Sequence, residues 1–523
     1  MRRRIQITSL SLILSILWGI SSCCGPDPYA NYLKLVEVTE PKSLDPIMST
    51  DVTMGTKIAL MYDNLVQFGM GTEIEPNIAH RWDISDDGKT YTFFLEDSFR
   101  FWNGRSIRAK DVKYSFERLL DPEAGSPQTW ILTPIKGARE RLKGEVNGVA
   151  GIKVLDSLTL RIDLEYPFAP FLGFLAMPAV GIVAREGVEA AGDRFREQPL
   201  GSGPWIFEEW KRDHHVLFRR NPDYFHGAPK MEGVMIRTIT EALTTSIEFE
   251  AGNLDVLLLP SSEYKYFLHS KQWASQILKL DDLAFYYVAL NCERAPFNNV
   301  RIRQAAALAI DREKIIHRIL HDAGTQAVGA IPPGLPGYDP EKAPIPFDPD
   351  SARRILIEEG YPDGCEFELW VDQSSAVTQT LEAVQAYLND VGFKCRLITN
   401  DWNMMRDAMR KGKTDAYWGN WWADYADAEN FLAPLFHSKN AARRNRYHNP
   451  EVDALIEDLQ RSMDEDRRTE LARRADSILA AEVPYVFMWY PTSYTAVQEW
   501  VKGYDIPLVF FAGRHLNVTK EPH

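Results

Sequence analysis

Apolar and polar positions alternate in short strand-like runs through much of the chain, and helical spacing interleaves with them most regularly in the second half. Leu33-Lys34-Leu35-Val36-Glu37-Val38 alternates as a strand; a turn follows from Pro41 to Pro46, and residues 58–65 read as a short helix. Residues 75–93 alternate on both sides of Asp87-Gly88, which predicts a hairpin. Residues 104–112 lead into a helix that runs to Leu120. Further on, residues 351–359, 366–371, 377–388 and 394–399 read helix, strand, helix, strand. That order predicts parallel strands with helices on the sheet faces. Two strand-like runs, 285–290 and 485–490, flank the unit. There is no internal repeat and no polar linker in the 523 residues, a length that calls for two or three domains.

Composition narrows the class. Hydrophobic residues make up 45% and charged residues 25%, the balance of a soluble globular protein, and the formal charge is −14. No basic stripe exists beyond Arg2-Arg3-Arg4, so no nucleic-acid partner is expected. Those arginines precede an apolar run and the ending Ile20-Ser21-Ser22-Cys23. The pattern reads as a secretory signal over 1–22, too short for a membrane span. Its ending resembles a bacterial lipobox, making Cys23 the lipidated first residue of a tether over 23–32 and tying the chain to a membrane. Cleavage there would remove three arginines and no acid, taking the charge to −17. The five cysteines form no zinc motif. Cys365 and Cys395 open two strand-like runs, where either a bridge or two buried thiols would fit.

The densest chemistry lies in Trp418-Gly419-Asn420-Trp421-Trp422-Ala423-Asp424-Tyr425-Ala426-Asp427-Ala428-Glu429-Asn430-Phe431, between a strand-like run and a helix. Aromatic faces beside a carboxylate suit an organic cation: the rings supply area and the acid pairs the charge. Asp427 and Glu429 are expected on the exposed start of the helix, where acids favour the dipole. Catalytic signatures are missing. There is no Gly-x-Ser-x-Gly elbow and no His-Glu-x-x-His pair, and Gly88-Lys89-Thr90 and Gly412-Lys413-Thr414 lack the first P-loop glycine, with Asp83 and Asp407 in its place. His214-His215 adjoin on a predicted strand and should point to opposite faces. No enzyme, cofactor or metal is expected.

An ordered series of motifs carries a resemblance. It runs through Ser43-Leu44-Asp45-Pro46, Ser85 to Phe93, Ala109-Lys110-Asp111-Val112, Gly201-Ser202-Gly203-Pro204-Trp205 and Asn221-Pro222-Asp223-Tyr224-Phe225. It continues through Ala251-Gly252-Asn253-Leu254-Asp255-Val256, Asn291, and Pro296 to Ala305. The stretch at Trp421 completes it, close to a Gly-Trp-x-Ala-Asp-Tyr pattern with Asn420 in place of the glycine. Over roughly residues 33–505 the chain resembles the family 5 extracellular solute-binding proteins, the dipeptide- and oligopeptide-binding receptors of ABC importers.

The resemblance implies an α/β fold of two lobes joined by two hinge crossings, as in periplasmic binding proteins of the larger type II kind. The first lobe, with an inserted subdomain, would span 33–285, the second 286–490, and a return segment 491–523. A peptide would sit between the lobes of an exported monomer that docks on permease and ATPase subunits. Asp424 would pair the peptide's ammonium. Trp421, Trp402 and Tyr425 would line the pocket, and Thr50, Asp51 and Val52 would offer main-chain bonds that tolerate any side chain. Some relatives carry an arginine three residues before the pocket tryptophan; here Trp418 stands there, with Arg406 and Arg410 nearby. A nickel chelate, haem, an oligosaccharide or a signalling role are the alternatives.

Overall fold

The helix–strand rhythm of the second half is built as read. The computed structural model describes residues 27–373 and 377–522, so the signal segment and Cys23 lie outside the described residues. Helix Pro349–Glu358 begins where the Asp348 carboxylate accepts the Ser351 N–H at 2.9 Å, with proline in the first turn. Strand Cys365–Asp372 follows, then helix Thr378–Val391, which stops at Gly392 in the left-handed region, φ 111°. Strand Phe393–Asn400 then lies parallel to Cys365–Asp372. Their register sets Cys365 opposite Phe393 and Cys395 opposite Phe367, and both thiols are free and buried. The unbridged alternative therefore holds, and burial pushes each thiol up to about 12.

These strands belong to an eight-stranded sheet in the order Val256–Leu258, Tyr485–Val497, Ala284–Leu290, Ala416–Trp422, Cys365–Asp372, Phe393–Asn400, with Ile277–Asp281 and Gly324–Gln326 also paired to Tyr485–Val497. Side-chain alternation gives it two apolar faces. Phe285, Tyr287, Tyr417, Tyr485 and Phe487 build one core; Val288, Leu290, Trp418, Val486 and Met488 build the other. The thirteen-residue strand Tyr485–Val497 connects the lobes: its first half pairs with Ala284–Leu290 and its second half with Ile277–Asp281 and Val256–Leu258. The change of partner falls at Pro491, whose carbonyl accepts the Asp282 N–H at 3.0 Å.

Two four-stranded sheets build the other lobe. Tyr32–Glu37 runs parallel to Gly233–Thr238, followed by His215–Arg220 and Trp205–Lys211. The hairpin predicted around Gly88 forms from Ala79–Ile84 and Thr90–Leu95 in a second sheet with Thr159–Asp163 and Ile152–Val154. The C-terminal segment comes back to this lobe, where Val501 and Val518 share a core with Leu33 and Trp205. Two local readings are corrected. The early helix is Val52–Met61, because Asp51 caps it by accepting the Met54 N–H at 2.9 Å and the chain is extended again at Tyr62. His214 sits on the turn before His215–Arg220, not on the strand, and the two rings meet at 2.5 Å between Nδ1 atoms. No group of three potential metal ligands occurs among the described residues.

Candidate functional site

Strand Ala416–Trp422 delivers Trp421 and Asp424 to the end of the large sheet, in the turn before helix Ala428–Phe436. Ends of strands facing the carboxyl side are where α/β sheets place ligands. Asn430, fully buried on the helix, ties the turn together. Its side-chain oxygen accepts the Asp424 N–H at 3.1 Å and the Trp421 indole N–H at 3.3 Å. Ring and acid are thereby fixed side by side, both partly exposed. Burial pushes the Asp424 carboxyl up to about 6, against the opposing pull of the Asn430 amide and the Arg444 charge. Arg444 lies over the Trp421 ring, its guanidinium carbon 5.0 Å from the ring centre.

Asp424 and Trp421 are therefore neighbours, joined through Asn430. Tyr425 points the other way. It is 2% exposed, packs edge-on to Phe174 at 5.0 Å in the core that holds the hairpin, and donates its hydroxyl to Glu429. Glu429 does not take the exposed position expected of it. It is 2% exposed, receives the Gln460 amide at 2.6 Å, and is pushed up to about 7 by burial. Helix Ala428–Phe436 is buried at every position but Pro434, so its first turn has no solvent face. Asp427 is the N-cap, accepting the Glu429 N–H at 2.8 Å and pairing with Arg468.

The remaining residues lie apart. Trp402 is 48% exposed at the start of helix Trp402–Arg410, and no ring or hydrogen-bond contact joins it to Asp424. Arg406 and Arg410 are exposed on that helix, and Arg410 pairs with Asp407. Trp418 is buried on the opposite sheet face against Tyr286 and Trp489. Thr50, Asp51 and Val52 belong to the other lobe. Thr50 edges a hollow with Asp45, Met48 and Arg118, while Asp51 serves as a cap. Gly55 on the same helix lies against Phe511, and a Cβ there would come within 2.3 Å of the ring. The adjacent Phe510 reaches Trp422 at 5.6 Å, so this helix and the Trp421–Asp424 turn approach one junction between the lobes.

Sequence reasoning missed Asn430 and Arg444. Nothing in the sequence marked either one as a neighbour of Trp421.

The chain belongs to the bacterial extracellular solute-binding proteins, family 5, whose model matches residues 73–443. It is 30% identical over 467 residues to heme-binding protein A of Haemophilus influenzae, covering 85% of this chain and 84% of that one. It is 27% identical over 530 residues to di/tripeptide-binding protein 1 of Pseudomonas aeruginosa, covering 97% of each. Among solved structures, the periplasmic binding protein DppA of Helicobacter pylori in complex with the peptide STSA superposes with a TM-score of 0.81 at 26% identity, over 94% of this chain and 98% of that one.

Proposed function

We propose that this chain is the substrate-binding component of an ABC importer, capturing peptides between its lobes and delivering them to a membrane permease. The observation that carries the reading is the Asp424 carboxyl, desolvated beside Trp421 and matched to an organic ammonium. Pairing an ammonium with a desolvated acid discriminates strongly, because leaving one partner buried and alone costs roughly 3–5 kcal/mol. The names of the Pseudomonas and Helicobacter relatives, a di/tripeptide-binding protein and a peptide complex, agree.

The lobes meet along Ala284–Leu290 and Tyr485–Val497, and we assign the hinge to the point near Pro491 where strand partners change. Lobe boundaries near 285 and 490 fit that change. Ligand contacts made to both lobes only in the closed state favour closure. Thr50 to Val52 would supply the opposite wall and Trp402 an outer rim. The family is extracellular, and we infer that Cys23 carries the lipid that holds the chain at a membrane as a monomer. Haem is the second reading, on the name of the Haemophilus relative. Mass spectrometry of ligand released by denaturing the purified protein separates the two. Recovered peptides support the reading; haem, a metal chelate or a sugar replaces it.

A further inference from the structure

The hairpin of Trp205–Lys211 and His215–Arg220 carries a histidine pair that the peptide reading does not use. Adjacent side chains on a strand point to opposite faces. His214 escapes that rule because it belongs to the turn. Asp213 adopts the left-handed region, φ 56°, and the His214 N–H donates to the Lys211 carbonyl at 3.1 Å. Glu40 holds the turn from the side, its carboxylate accepting the Asp213 N–H at 2.9 Å and the Trp210 indole N–H at 2.8 Å. The reversal swings the His214 ring onto that of His215. Their Nδ1 atoms face each other at 2.5 Å, with the ring planes 74° apart.

Two lone pairs repel, so ring nitrogens this close share a proton or a cation. Glu209 settles which nitrogens are free to do so. Its carboxylate meets His215 Nε2 at 3.2 Å, which places a proton on Nε2 and leaves the Nδ1 lone pair turned toward His214. A carboxylate on the outer nitrogen is also what orients a metal-bound histidine and raises its basicity. His215 is 7% exposed and held in place, whereas His214 is exposed on the turn. Partial burial and the neighbouring His215 hold the His214 imidazole below its ordinary value, so at pH 7 it is in the neutral, ligating form. With nitrogen–metal bonds of about 2.0 Å, a chelating pair needs its nitrogens about 3 Å apart, a small outward swing for His214. Lys211 and Arg237 oppose a cation here, but Arg237 is paired with Glu248 at 2.6 Å, and Glu209 favours one. Among the described residues no third histidine, cysteine or carboxylate joins the pair as a ligand, so water completes the shell.

We propose that His214 and His215 form a two-histidine chelate for a first-row divalent transition metal, oriented by Glu209. Imidazole suits Cu²⁺, which also stands highest in the affinity order for nitrogen sites. The site lies on the first lobe and is independent of the peptide reading.

Calorimetric titration of the tag-free mature chain with Cu²⁺, in wild type, His214→Ala, His215→Ala and Glu209→Gln, tests it. Wild type should take one Cu²⁺ per chain at its tightest site, and electron paramagnetic resonance of that complex should show coupling to two imidazole nitrogens. His214→Ala and His215→Ala should each weaken the site at least roughly tenfold. Glu209→Gln should weaken it about tenfold, as loss of an orienting carboxylate does. Zn²⁺ should bind more weakly than Cu²⁺. Since His214 is exposed, His214→Ala decides even if His215→Ala fails to fold. No uptake of Cu²⁺ by wild type overturns the proposal, and so does equal affinity in His214→Ala or coupling to a single nitrogen. Tighter binding of Zn²⁺ than of Cu²⁺ overturns the assignment of the metal.

Discussion

Asp424 and Glu429 lie five residues apart in one turn and helix start, and burial raises both, to about 6 and about 7. Their surroundings differ. Glu429 has both oxygens engaged, one by the Tyr425 hydroxyl and one by the Gln460 amide, inside a core that solvent does not reach. Asp424 sits at the edge of the indole with only the Asn430 amide beside it and Arg444 further off. A raised carboxyl by itself does not mark a site. A raised carboxyl whose complement is missing does.

The sharpest way to break that contrast is to remove each acid. Glu429→Ala leaves the Tyr425 hydroxyl and the Gln460 amide without a partner in the core, and should lower unfolding free energy in urea by about 2–4 kcal/mol while sparing ligand affinity. Asp424→Asn should do the reverse, weakening peptide binding at least tenfold, about 1.4 kcal/mol, with no loss of fold by circular dichroism. A large stability loss from the second change would make Asp424 structural.

The contrast can then be sharpened with pH. An ammonium binds the ionised acid, and Asp424 ionises only above about 6. Affinity should therefore fall as pH drops below that value and should stay flat in Asp424→Asn. The unliganded protein shows the opposite sign. The folded carboxyl holds its proton more tightly than the unfolded one, so this group adds stability as pH falls through 6 and withdraws it as pH rises. Unliganded Asp424→Asn should consequently melt above wild type at pH 7, and the gap should close below pH 4. Trp402→Ala marks the small end. Half exposed and uncontacted by the turn, Trp402 should move stability by no more than about 0.5 kcal/mol.

Much of the fold was legible because periodicity is a local property. Helix Thr378–Val391 between Cys365–Asp372 and Phe393–Asn400 follows from spacing, and the Gly88 hairpin from one dipeptide. Asp424 and Trp421 were legible because a turn keeps them adjacent in sequence. Arg444, twenty residues on, was not, since only the packing of Tyr417, Tyr485 and Tyr287 brings it to Trp421. Tyr425 and Glu429 were misread for a related reason. Whether a side chain at a turn meets water depends on what the rest of the chain sets against it, and here that is Phe174 and Gln460.

The most direct test of Asp424 as an ammonium site compares one dipeptide with its N-acetylated form by calorimetry, in wild type and in Asp424→Asn. Acetylation should abolish tight binding in wild type and make little further difference in the variant. Equal binding of both forms to wild type would contradict the assignment.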